Sequence, residues 1–135
     1  MLIDNSLLFS DGQAPTGTVG TIASTSDIDL RSTYGDAIPE ALWLVIACSV
    51  APASSGAATV QFQLQSSADD NTFTTLWTGP QLAYTAVATG FVAQIEFPLG
   101  TQRYVRLNYI IGTAALTAGT FQAVLVNRPE VYHKV

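Results

Sequence analysis

Val60-Gln61-Phe62-Gln63-Leu64-Gln65 alternates apolar and polar side chains without a break. Successive side chains of a β-strand point to opposite faces, so this stretch places Val60, Phe62 and Leu64 in a core and the glutamines on an outer face. The same period recurs along the chain, and helical period is absent. Phe91, Ala93, Ile95 and Phe97 alternate with Val92, Gln94 and Glu96. Val105, Leu107, Tyr109 and Ile111 lie opposite Tyr104, Arg106 and Asn108, and Phe121, Ala123 and Leu125 form a further face. Shorter strands are expected at Leu76-Trp77 and at Ile28 with Leu30. Turn chemistry separates these runs at Asp69-Asp70-Asn71, Gly79-Pro80, Pro98-Leu99-Gly100, Gly112 and Ala118-Gly119. The pattern predicts an all-β fold, an antiparallel β-sandwich or jelly roll of about eight strands with N- and C-terminal arms. Its core is expected to hold Leu44, Ile46, Phe62, Leu64, Ile95, Val105, Leu107 and Phe121.

One run departs from the alternation. Ala41-Leu42-Trp43-Leu44-Val45-Ile46-Ala47-Cys48 is apolar on both faces. Leu42, Leu44, Ile46 and Cys48 suit the core, which leaves Trp43, Val45 and Ala47 on the other side. A strand with two apolar faces must be covered twice, by its partner sheet and by something else. A neighbouring subunit or a folded-over terminal arm would serve. The whole chain, 1–135, reads as a single sandwich domain, with an arm over 1–20 and a tail over 127–135. Leu7-Leu8-Phe9 is the apolar patch of that arm, placed to dock on a partner or, alternatively, to form the sandwich's first strand. The tail carries Arg128, Glu130, His133 and Lys134, and chain ends of this kind are ordinarily loose unless tied down.

Composition narrows the function. Charged residues are 11% of the chain, no Lys or Arg stands between Arg31 and Arg103, and Lys134 is the sole lysine. A free-standing soluble domain normally carries about 25% charged residues. With mean hydropathy at +0.31, such a surface is easily desolvated and suits a protein packed against others. The net charge of −5 and scattered arginines argue against nucleic acid. A single cysteine, Cys48, excludes an internal disulfide. No signal peptide opens the sequence, and its longest apolar run is far short of the ~20 residues of a membrane helix. A soluble protein made in a cytoplasm, with no membrane partner, is expected.

Candidate chemistry is sparse, and no enzyme is expected. The only histidine, His133, stands in the tail, where nothing rigid holds it against a nucleophile. Cys48 sits within the apolar run and reads as an inert buried thiol. One Cys and one His cannot build a zinc site, and Asp69-Asp70-Asn71 reads as a turn before it reads as a calcium site. No Gly-rich phosphate loop is present, so no cofactor is expected. Trp43, Trp77, Tyr84 and Tyr104 could stack sugar rings, as exposed aromatics do in carbohydrate-binding sandwiches.

Met1-Leu2-Ile3-Asp4, Leu8-Phe9-Ser10-Asp11 with Gln13-Ala14, and Ile28-Asp29-Leu30 resemble the start of a bacteriophage capsid cement protein. The family is the small jelly-roll decoration proteins first described from a Bordetella podophage. Phe97-Pro98-Leu99-Gly100, Arg103-Tyr104-Val105-Arg106-Leu107 and Thr117-Ala118-Gly119 continue the likeness in the same order and spacing. Arg31 departs from it, standing where a glycine is expected, and the 32–39 stretch is longer than usual. The resemblance implies a homotrimer on the outside of an icosahedral head, bridging copies of the major capsid protein. The surface meeting the shell or other subunits is expected at Leu7, Leu8, Phe9, Trp43, Val45, Tyr104 and Arg106. Two other classes compete with it: a carbohydrate- or receptor-binding sandwich module of a phage virion, and an enzyme whose site is shared between subunits.

Overall fold

Alternation becomes pairing in the computed structural model, which describes residues 8–29, 43–96 and 102–126. Ten strands form there: β1 (Leu8–Gln13), β2 (Gly20–Ala23), β3 (Ile28–Asp29), β4 (Trp43–Ala53), β5 (Thr59–Ser67), β6 (Thr74–Thr78), β7 (Leu82–Ala83), β8 (Gly90–Glu96), β9 (Tyr104–Gly112) and β10 (Ala118–Val126). Leu7, Leu30, Leu42, Phe97, the Pro98-Leu99-Gly100 turn, residues 1–6 of the expected arm and the 127–135 tail lie outside the described residues.

One sheet has the order β1-β10-β4-β8 and the other β2-β9-β5-β6, every pair antiparallel. β3 continues the row of β2 along β9, and β7 continues the row of β6 along β5. Each broken row counts as one strand, so the ten segments make a sandwich of eight rows, four per sheet. The chain crosses between sheets in the order of a jelly roll. Gly79-Pro80-Gln81 breaks the second row, because Pro80 has no N–H for the ladder. A Cβ on Gly79 would lie 2.8 Å from the Trp77 indole, so any larger residue there would have to displace that ring.

Between the sheets the expected faces meet. Leu44, Ile46, Cys48, Val60, Phe62, Leu64, Val105, Leu107, Tyr109, Ile111, Phe121, Ala123 and Leu125 are buried in one cluster. Phe62, Tyr109 and Phe121 form its centre, with ring centroids 5.6–5.8 Å apart. Each such side chain contributes about 1.5–3 kcal/mol by leaving water. The Tyr109 hydroxyl donates to Ser10 Oγ at 2.9 Å, tying β9 across to β1. Burial pushes the Tyr109 phenol up to about 12. Ile95 is the exception among the expected core residues, being only partly buried. Its strand has a neighbour on one side only among the described residues, and a bulge interrupts its phase, Ile46 pairing with Ala93 but Ala47 with Phe91.

Two expectations are corrected. Residues 1–20 are not an arm over their described part, because Leu8–Gln13 is strand β1, paired to β10, and Phe9 is fully buried in the protomer's own core. Irregular register between Leu8 and Ser10, and again between Asp11 and Gln13, removes the alternation that would have announced the strand. The second apolar face of β4 is real, and at its centre it is covered within one chain. Val45 packs with Val124, Val126, Leu8 and Trp43 in a satellite cluster, and Val45 and Val124 are each only 1% exposed, while Trp43 and Ala47 stay half-buried.

Candidate functional site

The strands of the two sheets run between two ends, and the connecting segments gather there. At one end lie the starts of β1, β4 and β9 and the finishes of β3, β5, β8 and β10. The chain also leaves the described residues at this end, after Asp29 and Glu96, before Leu8 and Trp43, and after Val126. At the other end four loops meet, 14–19, 54–58, 84–89 and 113–117.

The first end holds the charge. Asp27, Asp29, Asp69, Asp70, Glu96, Arg103 and Arg106 are all on it; among the described residues only Asp11, midway along β1, carries charge elsewhere. Arg103 grips Asp29 with both prongs, Nε to Oδ1 at 2.7 Å and a terminal nitrogen to Oδ2 at 2.9 Å, and lies over the Tyr104 ring at 4.9 Å. Arg106 stacks on Phe73 at 3.9 Å while its Nε donates to Gln65 Oε1 at 2.9 Å. That oxygen also accepts from Asn108 Nδ2 at 2.9 Å. In the β5–β6 turn, Asp69 Oδ1 accepts from Thr72 N, Ser67 Oγ and Asn71 N, which holds its carboxyl below the ordinary range. The next residue, Asp70, takes a left-handed φ of 61°. Asp27 is pushed up to about 6 by partial desolvation, by the hydrogen bond it shares with the Asp70 carboxyl and by the charge of Asp70, with Arg106 opposing.

The opposite end is built without charge. Its loops read Ala14-Pro15-Thr16-Gly17-Thr18-Val19, Ser54-Ser55-Gly56-Ala57-Ala58, Tyr84-Thr85-Ala86-Val87-Ala88-Thr89 and Thr113-Ala114-Ala115-Leu116-Thr117. Hydrogen bonds lock them together: Gly17 N to Leu116 O at 3.0 Å, Thr117 N to Ala53 O at 2.7 Å, Tyr84 N to Ala58 O at 3.0 Å and Ser54 Oγ to Ala115 O at 2.9 Å. Val87 and Leu116 turn inward as core, while Val19 stands 57% exposed. Val50, on the part of β4 that runs toward these loops, is 49% exposed.

The structure places the described members of the expected surface at the charged end but divides them among three settings. Phe9 is core and unavailable to a partner, Val45 is sealed in the satellite cluster, and Leu8 and Trp43 are half-buried beside it. Tyr104 and Arg106 are half-buried too, on the other sheet. Leu7 is outside the described residues. Sequence reasoning missed the uncharged end, whose signal is divided over four loops far apart in the chain.

Among the described residues neither end brings together three or more Cys, His, Asp or Glu that could hold a metal ion. Cys48 is buried, donates to Val50 O at 3.0 Å, and burial pushes its thiol up, which disfavours the reactive thiolate. A half-open groove of about 320 Å³ is lined by Asp11, Gly12, Ala47, Cys48, Ser49, Gly90 and Gln122, with Asp11 its single carboxylate. No helix among the described residues is long and apolar enough to cross a membrane.

The chain matches the Bbp16 family over residues 9–125, from the first strand of the sandwich to the last. It therefore belongs to that family, which is named for a Bordetella phage protein. No curated protein matches it.

Proposed function

We propose that this chain, as a member of a phage protein family, is a structural protein of the virion that decorates the outside of the head. Acting as a homotrimer, it bridges copies of the major capsid protein and so stabilises the shell. The observation that carries this reading is the extent of the family match, which runs through the whole jelly roll rather than over one motif. The surface supports it as well. With 11% charged residues and a charge-free end, the protein sheds little hydration when it packs against others.

Cementing needs no chemistry. A trimer offers several contacts at once, and their joint affinity exceeds any single one by linkage. A ligand that binds only the assembled shell stabilises it by mass action, by about 4 kcal/mol per site at a thousandfold excess over the dissociation constant. The competing glycan reading finds less support. Trp77 and Tyr84 pack against the core, Trp43 against the satellite cluster, and Tyr104 lies under Arg103, so none of them offers an open platform for a sugar ring.

Purified phage heads test the proposal. The protein is expected to co-purify with them in a fixed ratio to the major capsid protein and to bind emptied heads when added back. Binding to host cells without binding to heads would transfer the assignment to an adhesin.

A further inference from the structure

We propose that the uncharged end is where copies of this chain meet one another. This rests on the homotrimer of the proposed function and deepens it by naming the surface through which protomers meet, and it is measured with no shell present. Three observations carry it. The loops 14–19, 54–58, 84–89 and 113–117 contain no Asp, Glu, Lys, Arg or His, whereas the opposite end carries seven of the eight charged side chains among the described residues. The two large hydrophobic side chains left exposed among the described residues, Val19 and Val50, lie in or beside this end. The surface is also preformed, since its loops are cross-linked by backbone hydrogen bonds and little ordering entropy is lost when a partner arrives.

Electrostatics selects a second copy as the occupant. Every copy has a net charge of −5, so copies repel, and most orientations would press like charges together at contact. The charge-free end avoids this. β9 has nine residues and spans about 30 Å, so charge at the far end lies well beyond the ~8 Å Debye length at physiological salt, and Asp11, midway along β1, is the one described charge nearer to these loops. A neutral surface is its own electrostatic complement. Thr16, Thr18, Thr85, Thr89 and Thr117 can exchange hydrogen bonds across a symmetry axis while Val19, Ala57 and Ala88 bury their apolar surface.

Sedimentation of the full-length chain over a concentration series tests this. The wild type is expected to run above the protomer mass of 14.3 kDa, and to change little as salt rises above physiological strength, because the charged end lies beyond the Debye length. Val19→Asp and Ala57→Asp, both at exposed positions, are expected to weaken association at least ~10-fold with the unfolding midpoint kept. Thr74→Asp is the control. It adds the same charge at the other end and is expected to leave association within ~2-fold. A wild type at the protomer mass throughout overturns the proposal. So does indifference to both loop variants, or dissociation by Thr74→Asp as strong as theirs. Shell binding is read separately, so the decoration role can fail without this contact, and an oligomer indifferent to the loop variants keeps the homotrimer while overturning this surface.

Discussion

The two ends of this jelly roll are made from the same strands yet differ in what water does for them. At one end the charged side chains are already engaged: Arg103 holds Asp29, Arg106 lies on Phe73, and Asp27 shares a hydrogen bond with Asp70. These groups are solvated as well as paired, and stripping that water in a contact carries a desolvation cost that pairing only partly offsets. At the other end Thr, Ala, Ser, Gly and Val face solvent with nothing ionic to strip. The lesson is that low overall charge is not spread evenly. The fold concentrates what charge it has near the points where the chain leaves the described residues, and keeps the opposite loops ready for dry contact.

The sharpest way to break that comparison is to ask whether the charged end is also a structural end. Phe9 is fully buried in β1 there, so Phe9→Ala is expected to cost about 3–5 kcal/mol in denaturant unfolding. A loss under about 1 kcal/mol would make the segment a detachable arm after all. Next in size is the surface pair. Arg103 and Asp29 have side chains 44% and 34% exposed, so Arg103→Ala is expected to cost far less than Phe9→Ala, and less again in high salt. Smaller still, Ala57→Lys puts a charge on an exposed loop of the neutral end and is expected to leave the unfolding free energy within about 0.5 kcal/mol. A larger loss would show that neutrality there serves the fold itself.

The finest distinction is pH. Asp27 is raised in the folded state from 3.8 to about 6, so its contribution to stability is fully present below 3.8 and is lost as pH rises through 6. Because Asp27 is exposed, solvent screening keeps the effect local. Between those pH values, hydrogen exchange corrected for its intrinsic rate is expected to quicken in the 24–27 loop and the β5–β6 turn, and to stay level in the four uncharged loops. Asp70→Asn, tolerable at a left-handed φ, is expected to return the Asp27 carboxyl toward its ordinary range by carboxylate NMR titration. An unchanged Asp27 titration in that variant would mean that desolvation acts alone.

Much of the fold was legible because long strands with one buried face write their period into the sequence. β5, β9 and β10 did so, and within β4 the separation of Leu44, Ile46 and Cys48 from Val45 was readable residue by residue. What escaped was short or irregular. β2 and β7 have four and two residues, too few for a period to show, and the bulges of β1 hid Phe9 as a core residue. The expected surface suffered from a related limit. Leu8, Trp43 and Val45 are apolar because they pack on one another within the protomer, and sequence alone does not separate that from packing on a neighbour. The neutral end was invisible for the opposite reason: an absence of charge is unremarkable in any one loop and tells only when four loops are brought together in space.

Electron cryomicroscopy of the phage head that carries this protein is the most direct test of the central claim. The account predicts jelly-roll density on the outer surface of the shell, with the loops 14–19, 54–58, 84–89 and 113–117 of neighbouring copies turned toward one another. A head whose exterior lacks the protein would contradict the decoration role, and copies touching through the charged end would contradict the division between the two ends.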